Sequence, residues 1–137
     1  MSIAIRSGLA RDAEAVLALW RSSGAEPTRT DDVRSIAGLV RHNDQALIVA
    51  EADGRLVGSV IAGWDGWRGS VYRLVVAPGH RRQGLARRLL AEAEVRLRSQ
   101  GAIRLAAIVV EDDPTATGFW RSSGWDAQIR RVRFVTE

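Results

Sequence analysis

Residues 75–90 read VVAPGHRRQGLARRLL, and this stretch decides how the chain folds. Val75 and Val76 are β-type residues, Pro78 and Gly79 interrupt the strand, and Leu85, Leu89 and Leu90 begin a helical pattern. A strand therefore releases into a glycine-containing turn that opens a helix. The first N–H groups of a helix lack internal partners and together carry roughly half a positive charge. Gly84 can take backbone angles that aim successive N–H groups into one concavity, and Ala86 is small where a ligand would approach. Arg81 and Arg82 add charge at the same place. The turn reads as an anion site, with a pyrophosphate as its natural occupant. It follows neither the Walker pattern nor GxGxxG.

Working outward, Leu85, Leu89, Ala93 and Leu97 recur every four residues, which predicts a helix from about Gly84 to Gln100 with Gly101 as its C-cap. The apolar run IRLAAIVV (103–110) suits a buried strand. A helix joining it to strand 71–77 is a crossover, so the two strands should be parallel neighbours. Upstream, ALIVAE and LVGSVIA flank Asp53-Gly54 as a hairpin, and a second hairpin turns at WDGWRG (64–69). IAIR (3–6) reads as a first strand, Asp12 as a helix cap, and Ala13, Val16, Leu17 and Trp20 as the buried face of that helix. Asp31 or Asp32 opens a second helix bearing Val33, Ile36, Ala37 and Val40. Pro114 opens a short helix through Ser122, and DAQIRRVRFV (126–135) reads as a last strand. The order predicts an α+β fold, a single domain over 1–137. Its mixed, mostly antiparallel sheet carries one parallel pair, with four helices. A ligand belongs at the carboxyl ends of that pair, where 71–77 gives way to the glycine turn.

Composition narrows the function. The chain of 137 residues is 46% hydrophobic and 26% charged, as expected of a soluble globular protein. It has no run long enough to span a bilayer, and its start lacks the build of a secretory signal. With no cysteine there is no disulfide and no thiol nucleophile, which fits a cytoplasmic protein. Two histidines, His42 and His80, are too few for a histidine metal site, so no metal is expected. All 20 basic residues are arginine, which inflates the isoelectric point for a net charge of only +4. These arginines are scattered, with one cluster at Arg81, Arg82, Arg87 and Arg88. That distribution favours a small anionic ligand over nucleic acid, and no helix-turn-helix or basic aromatic strand face accompanies it.

Taken together, Val76, Pro78, Arg81, Gly84, Ala86, Leu89 and Leu90 form a V-x-P-x-x-R-x-x-G-x-A-x-x-L-L block. It resembles the acetyl-CoA motif of the GNAT superfamily of N-acetyltransferases. A second block agrees: Asp113, Ala116, Phe119, Trp120, Gly124 and Trp125 stand where the family often carries Asn-x-x-Ala-x-x-(apolar)-Tyr-x-x-x-Gly-Phe. The opening IRSGLARDAEAVLALW is similar to the family's first strand and helix, and WDGWRGS (64–70) to the turn of the small YpeA-type branch.

The resemblance implies transfer of an acetyl group from acetyl-CoA to a primary amine by direct attack in a ternary complex. It also implies roles. The amides of Arg82, Gln83, Gly84, Leu85 and Ala86 would hold the CoA pyrophosphate, with Arg81 at the motif's Gln/Arg position. The main chain of Leu74, Val75 and Val76 would pair with the pantetheine arm, and an N–H near Leu74 would face the thioester oxygen. Glu111 is the first candidate base and Asp65 a second; an exposed loop carboxylate is the other reading of Glu111. Two positions depart from the family. Trp120 replaces the usual tyrosine acid; an indole can donate to sulfur but keeps its proton, so slower turnover is expected. Tyr72 is a substitute donor or, alternatively, a core residue with its hydroxyl at the rim. Asp113 replaces an asparagine that bonds the cofactor arm; it is a cofactor-binding candidate at that place or, in the preferred reading, only the cap of the following helix. Trp64, Asp65, Trp67 and Arg68 form the acceptor side, where the tryptophans line a pocket or bury a dimer contact. The acceptor is a small molecule or peptide, and the protein a monomer or homodimer. The competing readings are a catalytically silent acyl-CoA-binding module and, on charge alone, a nucleic-acid module.

Overall fold

The structure is a computed structural model that describes residues 2–110 and 113–137. They fall into two compact units, Met1–Ala107 and Ile108–Glu137. In the first unit, β1 (Ala4–Ser7) is followed by a 3-10 turn and α1 (Ala13–Ser22), then α2 (Val33–His42). The strands β2 (Leu47–Ala52), β3 (Arg55–Trp64) and β4 (Gly69–Val76) come next, then α3 (Leu85–Gln100) and β5 (Leu105–Ala107). The five strands lie in sequence order, antiparallel from β1 to β4 and parallel between β4 and β5. This is the mixed sheet expected from the hairpin and crossover signals.

Both faces of the sheet are covered. Leu47 and Val49 of β2 join Ala13, Val16, Leu17 and Trp20 of α1 and Ile36 of α2 in one buried cluster. On the other face α3 presents Leu85, Leu89, Ala93 and Leu97, all buried. That is why LIVA in β2 is a continuous buried run rather than an alternating one. Gly58 lets α3 sit close: a Cβ there would lie 2.8 Å from Leu89 Cδ1 and 3.4 Å from Leu85 Cδ2.

Local signals behave as their chemistry predicts at several joints. Asp53 and Gly54, with φ of 52° and 76°, form the hairpin turn between β2 and β3. Asp32 caps α2 by accepting from Ser35 N at 2.7 Å, and Gly101 ends α3. Asp12 is a correction. Its carboxylate does not cap α1 but pairs with both terminal guanidinium nitrogens of Arg6, at 2.8 and 3.0 Å, and accepts from Leu9 N at 2.7 Å. The nearby charge outcompetes the helix amides.

The second unit contains α4 (Pro114–Ser122). Asp113 caps it, accepting from Ala116 N at 3.1 Å, with Pro114 in the first turn. Trp120 packs edge-on between Trp125, at 4.8 Å between centroids, and Phe119, at 5.7 Å. The strand expected over 126–135 does not form. The stretch DAQIRRVRFV suggested one, but Ile129, Val132 and Phe134 are 63%, 76% and 90% exposed. Arg130, at φ 62°, also breaks the extended run. A strand needs a ladder, and β-type residues alone do not provide one. The strand expected over 103–110 is likewise shorter, with only Leu105–Ala107 paired.

Candidate active site

Three features of the first unit converge along β4. The first is the turn into α3. After Ala77 makes the last sheet contact, with N to Val57 O at 2.8 Å, Pro78–His80 form a 3-10 turn. Arg82 and Gly84 then both adopt left-handed backbone, with φ of 62° and 76°. The first helical bond of α3 runs from Arg88 N to Gly84 O at 3.2 Å, so the amides of Gly84, Leu85 and Ala86 are not consumed by the helix. Open space surrounds the position where a Cβ would stand on Gly84. Glycine is there for its backbone angle, and a polyphosphate chain fits such a cradle of amides.

The arginines of this turn divide their work. Arg81 is turned to carbonyls: Nε donates to Val76 O at 3.1 Å and Nη2 to Ser23 O at 2.8 Å. Arg88 donates to Ile3 O at 3.3 Å. This amends the expectation that Arg81 adds charge to the anion site; carbonyls of the strand end and of the α1 terminus engage it first. Arg82 is exposed.

The second feature is the edge of β4. Pairing with β5 covers Gly69, Ser70 and Val71 and stops there. Beyond Val71, among the described residues, β4 pairs within the sheet with β3 alone, and even that register slips between Ser59 and Ile61. The slip is a bulge centred on Arg73, at φ 52°. Ser59, fully buried, holds it by donating to Arg73 O at 2.9 Å while accepting from Trp20 Nε1 at 2.8 Å. The main chain of Leu74, Val75 and Val76 lies just past this bulge. Sequence reasoning missed Ser59, Arg73 and Trp20 as a group. The available signal was a lone serine and a lone arginine inside otherwise apolar strands.

The third feature is a cavity of about 230 Å³ between the end of α2 and the β3–β4 hairpin. Leu39, His42, Asn43, Trp64, Ser70 and Tyr72 line it together with Asp65. Tyr72 is half exposed, so it is a wall of this cavity and not a core residue. Asp65 accepts from Trp67 N at 2.8 Å and Arg68 N at 2.7 Å through one oxygen. Those amides, Arg68 first, lower its pKa below the ordinary aspartate range. The shift makes Asp65 a weaker base than an ordinary aspartate. Trp67 is 71% exposed, with the Arg68 guanidinium 4.1 Å above its ring. Of the predicted acceptor residues, Trp64 and Asp65 line the cavity. Glu111 lies outside the described residues. Trp120 and Asp113 belong to the second unit, where Asp113 serves as a cap.

Among the described residues no helix is long and apolar enough to cross a membrane. The structure superimposes on that of PaiA N-acetyltransferase from Thermoplasma acidophilum in complex with coenzyme A. The TM-score is 0.78 at 18% identity, over 89% of this chain and 88% of that one. It also matches AAC(6')-Iy in complex with a bisubstrate analog, CoA-S-monomethyl-acetylneamine, with a TM-score of 0.77 at 18% identity over 100% and 99% of the two chains. At the sequence level, an acetyltransferase of Yersinia pestis (strain Pestoides F) is 33% identical over 117 residues, 85% of this chain and 83% of its own length. The model of the Acetyltransferase (GNAT) family matches residues 13–125. A turn whose leading amides lie outside helical bonding, a β4–β5 pairing that ends at Val71 and these matches agree, and the chain belongs to the GNAT family of acetyltransferases.

Proposed function

We propose that the protein transfers an acetyl group from acetyl-CoA to a primary amine by direct attack within a ternary complex. The observation that carries this reading is the mouth of α3, where Arg82 and Gly84 are left-handed and the amides of Gly84, Leu85 and Ala86 lie outside the helix's own bonding. Acetyl-CoA supplies the activated acyl group and a thiol that leaves readily, its pKa being about 8.5 if it resembles cysteine. The protein's part is to seat and orient. The amides from Arg82 to Ala86 hold the pyrophosphate. The main chain of Leu74, Val75 and Val76, beyond the end of β5 pairing, receives the pantetheine arm as an added strand. An N–H near Leu74 donates to the thioester oxygen, a contact worth ~3 kcal/mol in comparable sites. On the sequence alone, Glu111 takes the ammonium proton and Trp120 donates to sulfur.

The cavity beside Tyr72 is the acceptor side in this reading. Asp65 is held anionic, and Trp64 and Tyr72 offer aromatic faces, a lining that suits a protonated amine before it is deprotonated for attack. AAC(6')-Iy was solved with an analog joining CoA to an aminoglycoside fragment, and a polyamine-sized or aminoglycoside-like amine is the class to test first. The test has two parts. Calorimetry with coenzyme A should show saturable heat, and free thiol should appear when acetyl-CoA and an amine panel are mixed with the protein. Coenzyme A binding without thiol release on any amine would leave an acyl-CoA-binding module as the function. No heat at all would end the acetyltransferase reading.

A further inference from the structure

We propose that Arg73 is a positioning residue, which straps the loop between α1 and α2 against the bulge of β4 and so sets the acceptor side of the site. The proposal rests on the acetyltransferase reading above. Arg73 stands at φ 52°, a region that residues with a Cβ avoid and where glycine is the usual choice. What arginine adds there is its side chain. Nη2 lies 2.8 and 2.7 Å from the two oxygens of Asp31 and donates to Glu26 O at 2.9 Å. The ion pair is withdrawn from water, with side chains 17% and 13% exposed. The guanidinium also sits 5.1 Å from the centroid of Trp20.

Asp31 in turn builds the loop. It accepts from Thr28 N at 3.3 Å and from Thr28 Oγ1 at 3.0 Å, so one carboxylate shapes the turn and anchors it. At the other end of the loop, Arg81 holds Ser23 O at 2.8 Å. Two arginines, one at the bulge and one at the anion turn, thus grip a segment that is largely exposed. Trp20 closes the circuit, since it donates to Ser59, Ser59 donates to the Arg73 carbonyl, and the Arg73 guanidinium faces the Trp20 ring. The loop joins α1 to α2, on the sheet face that carries Ser70, Tyr72 and the cavity. The loop leads directly into α2, whose Leu39 and His42 line that cavity, so the seat offered to an amine approaching β4 from that face depends on Arg73. The coenzyme, seated on the amides of the α3 turn, does not.

Two variants separate the strap from the strand. Arg73→Gly removes the guanidinium while keeping the left-handed backbone accessible, and Asp31→Asn weakens the pair from the loop side. Spermidine, tyramine and a short peptide with a free N-terminus serve as probe amines, with coenzyme A binding measured by calorimetry. Both variants should raise the KM for whichever probe turns over by about tenfold or more, with kcat and coenzyme A affinity within about threefold of the parent. Amide hydrogen exchange in residues 24–32 should quicken by a similar factor in both. Unchanged KM in the two variants, or a KM that worsens in step with coenzyme A affinity, overturns the proposal. If the parent protein binds no coenzyme A, the acetyltransferase reading fails and the exchange measurement alone decides. Unaltered exchange over 24–32 in Arg73→Gly then rejects the strap.

Discussion

Asp12 shows how a single side chain is diverted by its surroundings. Placed before a helix, it is a natural cap, yet Arg6 reaches it from β1 with two hydrogen bonds and Glu51 joins the same guanidinium at 2.9 Å. The Arg6 bonds, helped by the Leu9 N–H, pull the Asp12 carboxyl below the ordinary aspartate range, and burial opposes them only in part. A depressed pKa in the folded state means that the unfolded chain takes up the proton first. The pair's contribution is therefore complete above the unfolded value, about pH 4, and is lost as pH falls through the lower folded value. Asp12→Asn should cost about 1–3 kcal/mol at pH 7 by urea unfolding. The gap to the parent should narrow as pH falls below the unfolded value and close only below the lower folded value, where the parent has lost the same charge. A gap that stays constant through this acid range would mean the cost is steric.

At the scale of elements, the bulge of β4 and the turn into α3 are the parts on which the site depends. Ser59 serves the first through two bonds inside the core, to Trp20 and to the Arg73 carbonyl. Ser59→Ala leaves a buried indole N–H and a carbonyl without that partner, and should lower stability by about 1–3 kcal/mol in chemical denaturation with the far-UV circular dichroism unchanged. Gly84 serves the second. An alanine there meets no neighbouring atom, so the cost to folding should be only the left-handed strain of about 1–2 kcal/mol. Its methyl would stand where the proposed diphosphate site lies, and coenzyme A affinity should fall by about tenfold or more in calorimetry. A stability loss with unchanged affinity would move the anion off this turn. Both elements were half legible beforehand. The pattern of α3 from Leu85 to Leu97 and its bounding glycines identify the helix and its mouth. The bulge was hidden, because YRLVV is compatible with a regular strand. The groups that distort it, Trp20, Asp31 and Ser59, come from distant parts of the chain.

For the molecule as a whole, coenzyme A binding to the folded state alone should stabilise it by mass action. A hundredfold excess over Kd corresponds to about 2.7 kcal/mol, which a thermal melt at increasing ligand concentration will show as a rising Tm. A flat response across that range would contradict the proposed cofactor. The helices, hairpins and crossover were readable because each rests on neighbours close in sequence: Asp53-Gly54, Asp32, Asp113-Pro114, Gly101. Membership of the GNAT family was readable too, since the spacing of Arg81, Gly84 and Ala86 encodes a backbone shape. Tertiary structure alone decided what the charged side chains do. Arg81 and Arg88 bond carbonyls, Asp12 pairs with Arg6, Asp65 braces its turn, and residues 126–135 stay out of any strand. Local periodicity constrains backbone geometry over a few residues. A long charged side chain instead takes whichever partner folding brings within about 3 Å, and a strand forms only where another strand offers its hydrogen bonds.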